Sequence, residues 1–319
     1  MANMPWLSVI VPIHDGERFL AAALDSILLQ RDPELEVIAV DDHSTDGSAA
    51  ILNTYRGRLN LRVLRPAEHC GWVQATNLAL AAAGARFACF LHQDDLWLPQ
   101  RSSKLRSLIA AEPGLELVIH NCSYVDDLGR RIGTLRAPLR ATGRLARADL
   151  FESLLVQNFV AAPAAIFAIE AARRCGPLDP SLWYTADWSF WLALSRHADA
   201  YFLPETLAGF RVHRRSQTAS RSRDLASLGA QLAAVLAAAL DHAPPLRHPR
   251  STPAAAELSV LVNCFLAALW NHDARFAARA LVGLRPRHLL GVASYLRRSR
   301  VHERVGARLA MLLRPRARP

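Results

Sequence analysis

The chain has 319 residues, with 38 Lys and Arg against 28 Asp and Glu, a formal net charge of +10 and 51% hydrophobic residues. That apolar content builds a sizeable core and excludes whole-chain disorder, and the length allows one large domain or a main domain with an appendage. The basic charge admits nucleic acid, an anionic membrane or phosphate-bearing small molecules; because the arginines thicken only after residue 210, it fits a basic C-terminal patch better than a nucleic-acid-binding domain.

Residues 7–11 (LSVIV) predict a strand that ends at Pro12, and His14-Asp15-Gly16 predicts a turn. Phe19, Leu20, Ala23, Leu24, Ile27 and Leu28 then recur at helical spacing up to Gln30. A second strand, 37–40, stops on Asp41-Asp42, and Ser44, Thr45 and Asp46 are candidate N-caps for the helix that follows. The third apolar stretch, 61–64, leads through a polar loop into a helix over 72–83 with Gly84 as its C-cap. The fourth strand, 87–91, stops on Asp94-Asp95.

Three strand-loop-helix units in tandem predict a mostly parallel α/β sheet with helices on both faces, whose ligands sit at the carboxyl edge of the strands. The first strand lacks a glycine-rich dinucleotide fingerprint, and no phosphate-loop lysine motif occurs.

Further on, helices are expected over 99–110 and 149–157, a strand over 115–119, and irregular chain over 131–147. Residues 161–169 are apolar without a clear period. Another helix is expected over 188–197 with Asp187 as a natural N-cap, followed by short extended segments at 201–204 and 207–212 that lead to His213. Past residue 220 the pattern is alanine-rich and helical over 225–240, 254–270 and 274–284, so the chain divides into 1–220 and a helical, arginine-rich extension, 221–319. The stretch 258–270 is shorter than a bilayer span of about 20 residues and reads as a core or interfacial helix. The tail, 314–319, is expected to be mobile. Five scattered cysteines without metal-ligand spacing suit a reducing cytosolic compartment, and the opening residues carry no basic segment of a secretory leader.

Paired acids at two strand ends and a third acid before an aromatic helix suggest a division of labour. Asp94 is placed to bind a divalent cation that neutralises a phosphorylated donor. Either Asp41 or Asp42 could accept hydrogen bonds from a base or ribose, and Asp187 could approach from the opposite side as a general base. Each of these acids would equally serve as a cap or a solvated charge.

These segments together resemble family 2 glycosyltransferases of the GT-A fold. The resemblance rests on residues 11–30 (VPIHDGERFL AAALDSILLQ), 40–48 (VDDHSTDGS), 71–77 (GWVQATN), 91–99 (LHQDDLWLP), 183–192, and Phe210-Arg211-Val212-His213 with Ser216, in the family's order over about 6–220. It implies inverting, non-processive transfer of a sugar from a UDP, dTDP or GDP donor to a hydroxyl of a glycan or lipid-linked acceptor, with Mn²⁺ or Mg²⁺. By that resemblance Pro12 lines the nucleotide pocket, Asp41 or Asp42 contacts the nucleoside, and Asp94 matches the metal-binding aspartate. Asp187 matches the base; Asp95, read from its position alone, could support its loop, bind donor hydroxyls or cap the following turn. Arg211 and His213 match a donor-side pair bearing on diphosphate or metal.

The chain departs from the family pattern in its details. His92 stands where an aspartate is commonest, and can itself bind metal; Thr76 replaces an arginine before Asn77; Ala186 replaces the glutamate before Asp187. The tryptophan element of processive polymer synthases is absent near residue 215. A catalytically silent nucleotide-sugar-binding protein and a sugar nucleotidyltransferase are the alternatives. No nucleic acid is expected as a partner. The setting implied is cytoplasmic, at the inner face of an anionic membrane, in bacterial polysaccharide assembly, with homo-oligomerisation left open.

Overall fold

The computed structural model describes residues 4–139, 142–213 and 224–306. Ser216 and the tail 314–319 lie outside them. The first half is built from β1 (Leu7–Ile13), α1 (Glu17–Leu28), β2 (Leu35–Asp41), α2 (Ser48–Tyr55), β3 (Leu61–Leu64), α3 (Gly71–Ala81) and β4 (Phe87–Phe90). All seven residues of β1 and all four of β4 are buried, as continuous apolar runs in a sheet covered on both faces require. These strands run parallel in the order β3-β2-β1-β4. The chain thus moves outward through β2 and β3, then crosses back to the other side of β1. With right-handed crossovers, α1 and α2 cover one face and α3 the other, and a crevice opens between the carboxyl ends of β1 and β4.

Beyond β4 the sheet becomes mixed. β5 (Leu96–Trp97), α4 (Arg101–Ala111), β6 (Leu117–Val125), β7 (Arg131–Leu135), β8 (Gly143–Leu145), α5 (Arg147–Val156), β9 (Ala165–Ala168), α6 (Ile169–Cys175), α7 (Ala186–His197) and β10 (Ala200–Arg211) complete it. The order continues β4-β9-β6-β10-β5, with β7 on β6 and β8 on β10. β9 is antiparallel to both β4 and β6, while β6 and β10 are parallel.

Several local expectations change here. The span 131–147, expected to be irregular, supplies β7, β8 and the start of α5, because pairing with β6 and β10 decides what weak local patterning does not. The two extended segments around Pro204 form one strand, β10, with register shifts that absorb the proline. α3 ends at Ala81 with Ala82 as C-cap, two residues short of the expected glycine.

The C-terminal helices are α8 (Leu225–Asp241), α9 (Ser251–Trp270), α10 (Ala274–Val282) and α11 (Val292–Ser299), with a 3₁₀ turn at Pro286–Gly291. α9 starts earlier than expected, since a proline is tolerated in the first turn of a helix, where Pro253 stands. It is long and apolar enough by composition to cross a membrane, yet much of it is buried against neighbouring helices. Leu225, Leu228, Leu232 and Leu236 of α8 share one apolar core with the sheet. A buried ion cluster also pins the extension, as Glu152 of α5 accepts hydrogen bonds from Arg298 of α11 at 2.9 Å, Thr252 of α9 at 3.1 Å and the His248 backbone at 2.9 Å.

Candidate active site

The crevice predicted by the strand order is a cavity of about 640 Å³. Pro12, Asp42, His92, Asp94, Asp187, Arg211 and His213 all line it, whereas Asp41 and Asp95 do not. Residues far apart in sequence therefore meet at one sheet edge, as the strand-end reading expects.

On the β1 side, the loop after Ile13 is held by a reciprocal pair. The His14 amide donates to Gln93 Oε1 at 2.8 Å, and Gln93 Nε2 donates to the His14 carbonyl at 3.0 Å. Gly16 is what permits this approach, since a Cβ there would sit 2.6 Å from Gln93 Oε1. Gln93 was no candidate in the sequence, although its place between His92 and Asp94 is a signal that could have found it.

The paired acids after β2 divide cleanly. Asp41 turns away from the cavity and accepts from the Ser44 amide at 3.0 Å, so it shapes its own loop and the nucleoside-contact reading passes to Asp42. Asp42 accepts from the amides of Cys70 and Gly71, each at 2.8 Å, and His69 Nδ1 lies 3.0 Å from its Oδ2. Burial alone would raise the Asp42 carboxyl; those amides at the start of α3 outweigh it and hold the group below its ordinary range. His14 and His69 stand with ring centroids 4.4 Å apart beside it. Thr76, by contrast, is fully buried and bonds back to the Trp72 carbonyl at 2.7 Å, away from any donor.

At the end of β4, ligand atoms of His92, Asp94 and Asp95 lie within 4.8 Å of one another. Asp94 Oδ2 accepts from His213 Nε2 at 2.9 Å. Burial would raise the Asp94 carboxyl, but that hydrogen bond and the two histidines more than offset it, and the group stays ionised. Asp95 goes the other way: burial and then the charge of Asp94 push it well above the ordinary carboxyl value. His92 Nε2 and Asp95 Oδ2 are buried without a protein partner among the described residues, which is the donor set a divalent cation would satisfy. His213, expected as a donor-side or metal-binding residue, sits beside this cluster as the hydrogen-bond partner of Asp94.

Arg211 lines the cavity but is committed to the scaffold. Its amide donates to Asp95 Oδ1 at 2.9 Å, its Nε to the Asp94 carbonyl at 2.7 Å and its Nη1 to the Asp126 carbonyl at 2.6 Å. The guanidinium also stacks 4.6 Å over Phe19. It fixes the Asp94–Asp95 loop from β10, a stronger structural demand than the diphosphate contact expected of it.

Asp187 faces the cluster from another wall. Thr185 is the N-cap of α7, so Asp187 is not the cap expected but an acid in the first turn. Its Oδ2 accepts from Asn158 Nδ2 at 3.0 Å and its Oδ1 from the Trp188 amide at 2.8 Å. Burial raises the carboxyl to about 6, with those two donors pulling it back. The segment before α7 is itself clamped to α3, where Trp72 Nε1 donates to the Trp183 carbonyl at 2.8 Å and Asn77 pairs with the Leu178 backbone. α8 and α9 close the cavity with Leu228, Leu232, Ser259, Asn263 and Trp270. Neither Asn158 nor this wall carries a signal in the sequence.

Residues 8–159, just under half of the chain, match the family model described as Glycosyl transferase family 2. An uncharacterized glycosyltransferase of Rickettsia typhi is 25% identical over 214 residues, covering 66% of this chain and 64% of that protein, so the match spans less than two thirds of the relative's own length. Among solved structures, Staphylococcus aureus TarS 1–349 in complex with UDP-GlcNAc superposes with a TM-score of 0.69 at 19% identity, over 96% of this chain and 90% of that one. The mannosyltransferase PcManGT of Pyrobaculum calidifontis, in complex with GDP-Man and Mn²⁺, gives 0.58 at 20% identity over 98% and 88%. These likenesses establish the GT-A fold, with the C-terminal helical part included.

Proposed function

From the premise that residues 8–159 form a glycosyl transferase family 2 domain, we propose that the chain is an inverting, metal-dependent glycosyltransferase that moves a sugar from a nucleoside diphosphate donor to a hydroxyl of a glycan or lipid-linked acceptor. One observation carries the reading. Asp187, a carboxyl raised to about 6, shares a single cavity with His92 and Asp94, approached from α7 and the end of β4 respectively, and Asp95 lies buried directly behind that pair.

Pro12 and Asp42 serve the nucleoside end of that cavity, with His14 and His69 beside them. His92, Asp94 and Asp95 would hold a divalent cation, which supplies charge for the diphosphate as it departs. On the other side, Asp187 accepts the proton of the acceptor hydroxyl while its oxygen bonds to the anomeric carbon and the bond from that carbon to the diphosphate oxygen breaks. Attack and departure on opposite faces invert the configuration. Asn158 holds the carboxylate by one oxygen.

The test is turnover of a panel of UDP, dTDP and GDP sugars with Mn²⁺ or Mg²⁺ and glycan and lipid-linked acceptors, with product stereochemistry read by NMR. Metal-dependent transfer with inversion is expected. Donor binding without transfer to any acceptor, or transfer with retention, overturns the reading.

A further inference from the structure

Of the eleven large apolar side chains exposed among the described residues, eight fall between Leu269 and Leu296, seven of them on the short helices that pack over α9 and the links between them. Val282 and Leu289 are more than 70% exposed, and Leu281, Leu290 and Leu296 more than half. α11 packs Tyr295 inward together with three polar residues, Ser294, Arg298 and Ser299, and presents Leu296 and Val292 to solvent. Arg298 is drawn in by Glu152, so the ion cluster that anchors the extension also turns Leu296 of the same helix outward. The preceding 3₁₀ turn is seated as closely as backbone allows, because a Cβ on Gly291 would lie 2.3 Å from the Ala255 amide nitrogen.

The charge on this face is one-sided. From residue 274 to 302 the sequence contains seven arginines and no aspartate or glutamate. Arg287 pairs with Glu257, Arg298 with Glu152 and Arg300 with Glu303. Arg275, Arg279, Arg285 and Arg297 have no carboxylate partner among the described residues, where every acid of the chain lies. A second copy of the chain would bring the same uncompensated arginines against these, which disfavours a symmetric dimer through this face. Leucines interleaved with unpaired arginines on consecutive short surface helices match a bilayer of anionic lipid, whose acyl boundary takes the leucines and whose headgroups take the guanidinium groups.

We infer that the face formed by α10, the 3₁₀ turn and α11 docks on the surface of an anionic membrane. α9 carries that face on one side and the cavity wall with Asn263 and Trp270 on another, so docking sets the cavity at a fixed distance from the lipid headgroups.

Vesicle flotation of the full chain tests this, using phosphatidylcholine vesicles with and without about 30% phosphatidylglycerol. Binding to the anionic vesicles, weakened by added salt, is expected. In the triple variant Leu281→Ser, Leu289→Ser, Leu296→Ser the affinity is expected to fall about tenfold or more, with an unchanged thermal midpoint showing the fold intact. No binding by the unaltered chain, or equal binding by the triple variant, overturns the inference. So does a dimer that the triple variant dissociates when vesicles bind neither. Binding is read without donor or acceptor, so the outcome is independent of the glycosyltransfer assay.

Discussion

Asp187→Asn keeps the shape of the side chain and removes its ability to take a proton, and its effects on stability and on activity have opposite signs. The folded carboxyl binds its proton more tightly than an unfolded one, since burial raises it from 3.8 to about 6. Its contribution to stability is therefore complete below the unfolded value and is lost as pH rises through about 6. A rise of about two units is worth ~3 kcal/mol at ~1.4 kcal/mol per unit, an upper bound because the group sits on a cavity wall that water reaches. Asparagine avoids this cost but forfeits about 1 kcal/mol, as its amide nitrogen cannot accept from both Asn158 and Trp188. The variant should thus gain up to ~2 kcal/mol in urea unfolding near pH 8 and lose that advantage near pH 4. Over the same range turnover should fall by about 10²–10⁴. On the proposed function, kcat/KM of the unaltered chain should rise through a pKa of about 6 and then level, so that one unit below it the rate is about a tenth of the plateau. A flat pH profile, a variant within about threefold of full activity, or a stability difference that ignores pH would each refute the reasoning.

Asp94→Ala should weaken Mn²⁺ binding by about a hundredfold or more in calorimetry of the protein alone, because it deletes the ionised member of the cluster; unchanged affinity would move the metal elsewhere. Gln93→Ala unhooks the β1 loop from the β4 loop and should raise the donor KM several-fold with a thermal midpoint shifted by little, whereas an unchanged KM would show the pair to be dispensable for binding. Glu152→Gln strands Arg298 in a buried site and should cost about 3–5 kcal/mol in urea unfolding at neutral pH. Burial would raise Glu152, but His248 and Arg298 hold it down to about 2, so its contribution is present above 4.5 and is lost as pH falls through about 2. A loss that did not shrink in acid would exclude this ion cluster as its source.

The parts of the site written as contiguous motifs were legible, and the parts that depend on distant pairing were not. Strands β1, β2 and β4 are continuous apolar runs that stop on polar residues, and the parallel half of the sheet follows from their alternation with helices. Beyond β4 the antiparallel insertion of β9 between β4 and β6 sets the geometry, and nothing local in residues 161–169 announces it. Asn158 therefore reads as the residue after a helix, although it is the partner of a carboxylate 29 positions away. The wall formed by α8 and α9 was hidden for a related reason. Alanine-rich helices show which face is apolar without showing what that face covers.

The same limit explains why three aspartates that look alike in sequence have different protonation in the fold. Asp94 is partly exposed and has His213 as a donor, so its charge is retained. Asp95, one residue on, is buried with a single amide donor and a neighbouring anion, so its carboxyl is pushed well above the ordinary value. Asp187 has two donors but a largely apolar setting, which leaves it at about 6, where a proton can be both accepted and released near neutral pH. Neighbouring charge and burial separate the three together with the donors, which come from β10 and the residue two past it, the segment after α5, and α7, all placed by tertiary pairing. A motif fixes which atoms can ionise; burial, the charges nearby and the donors around each atom together decide which of them do so at working pH.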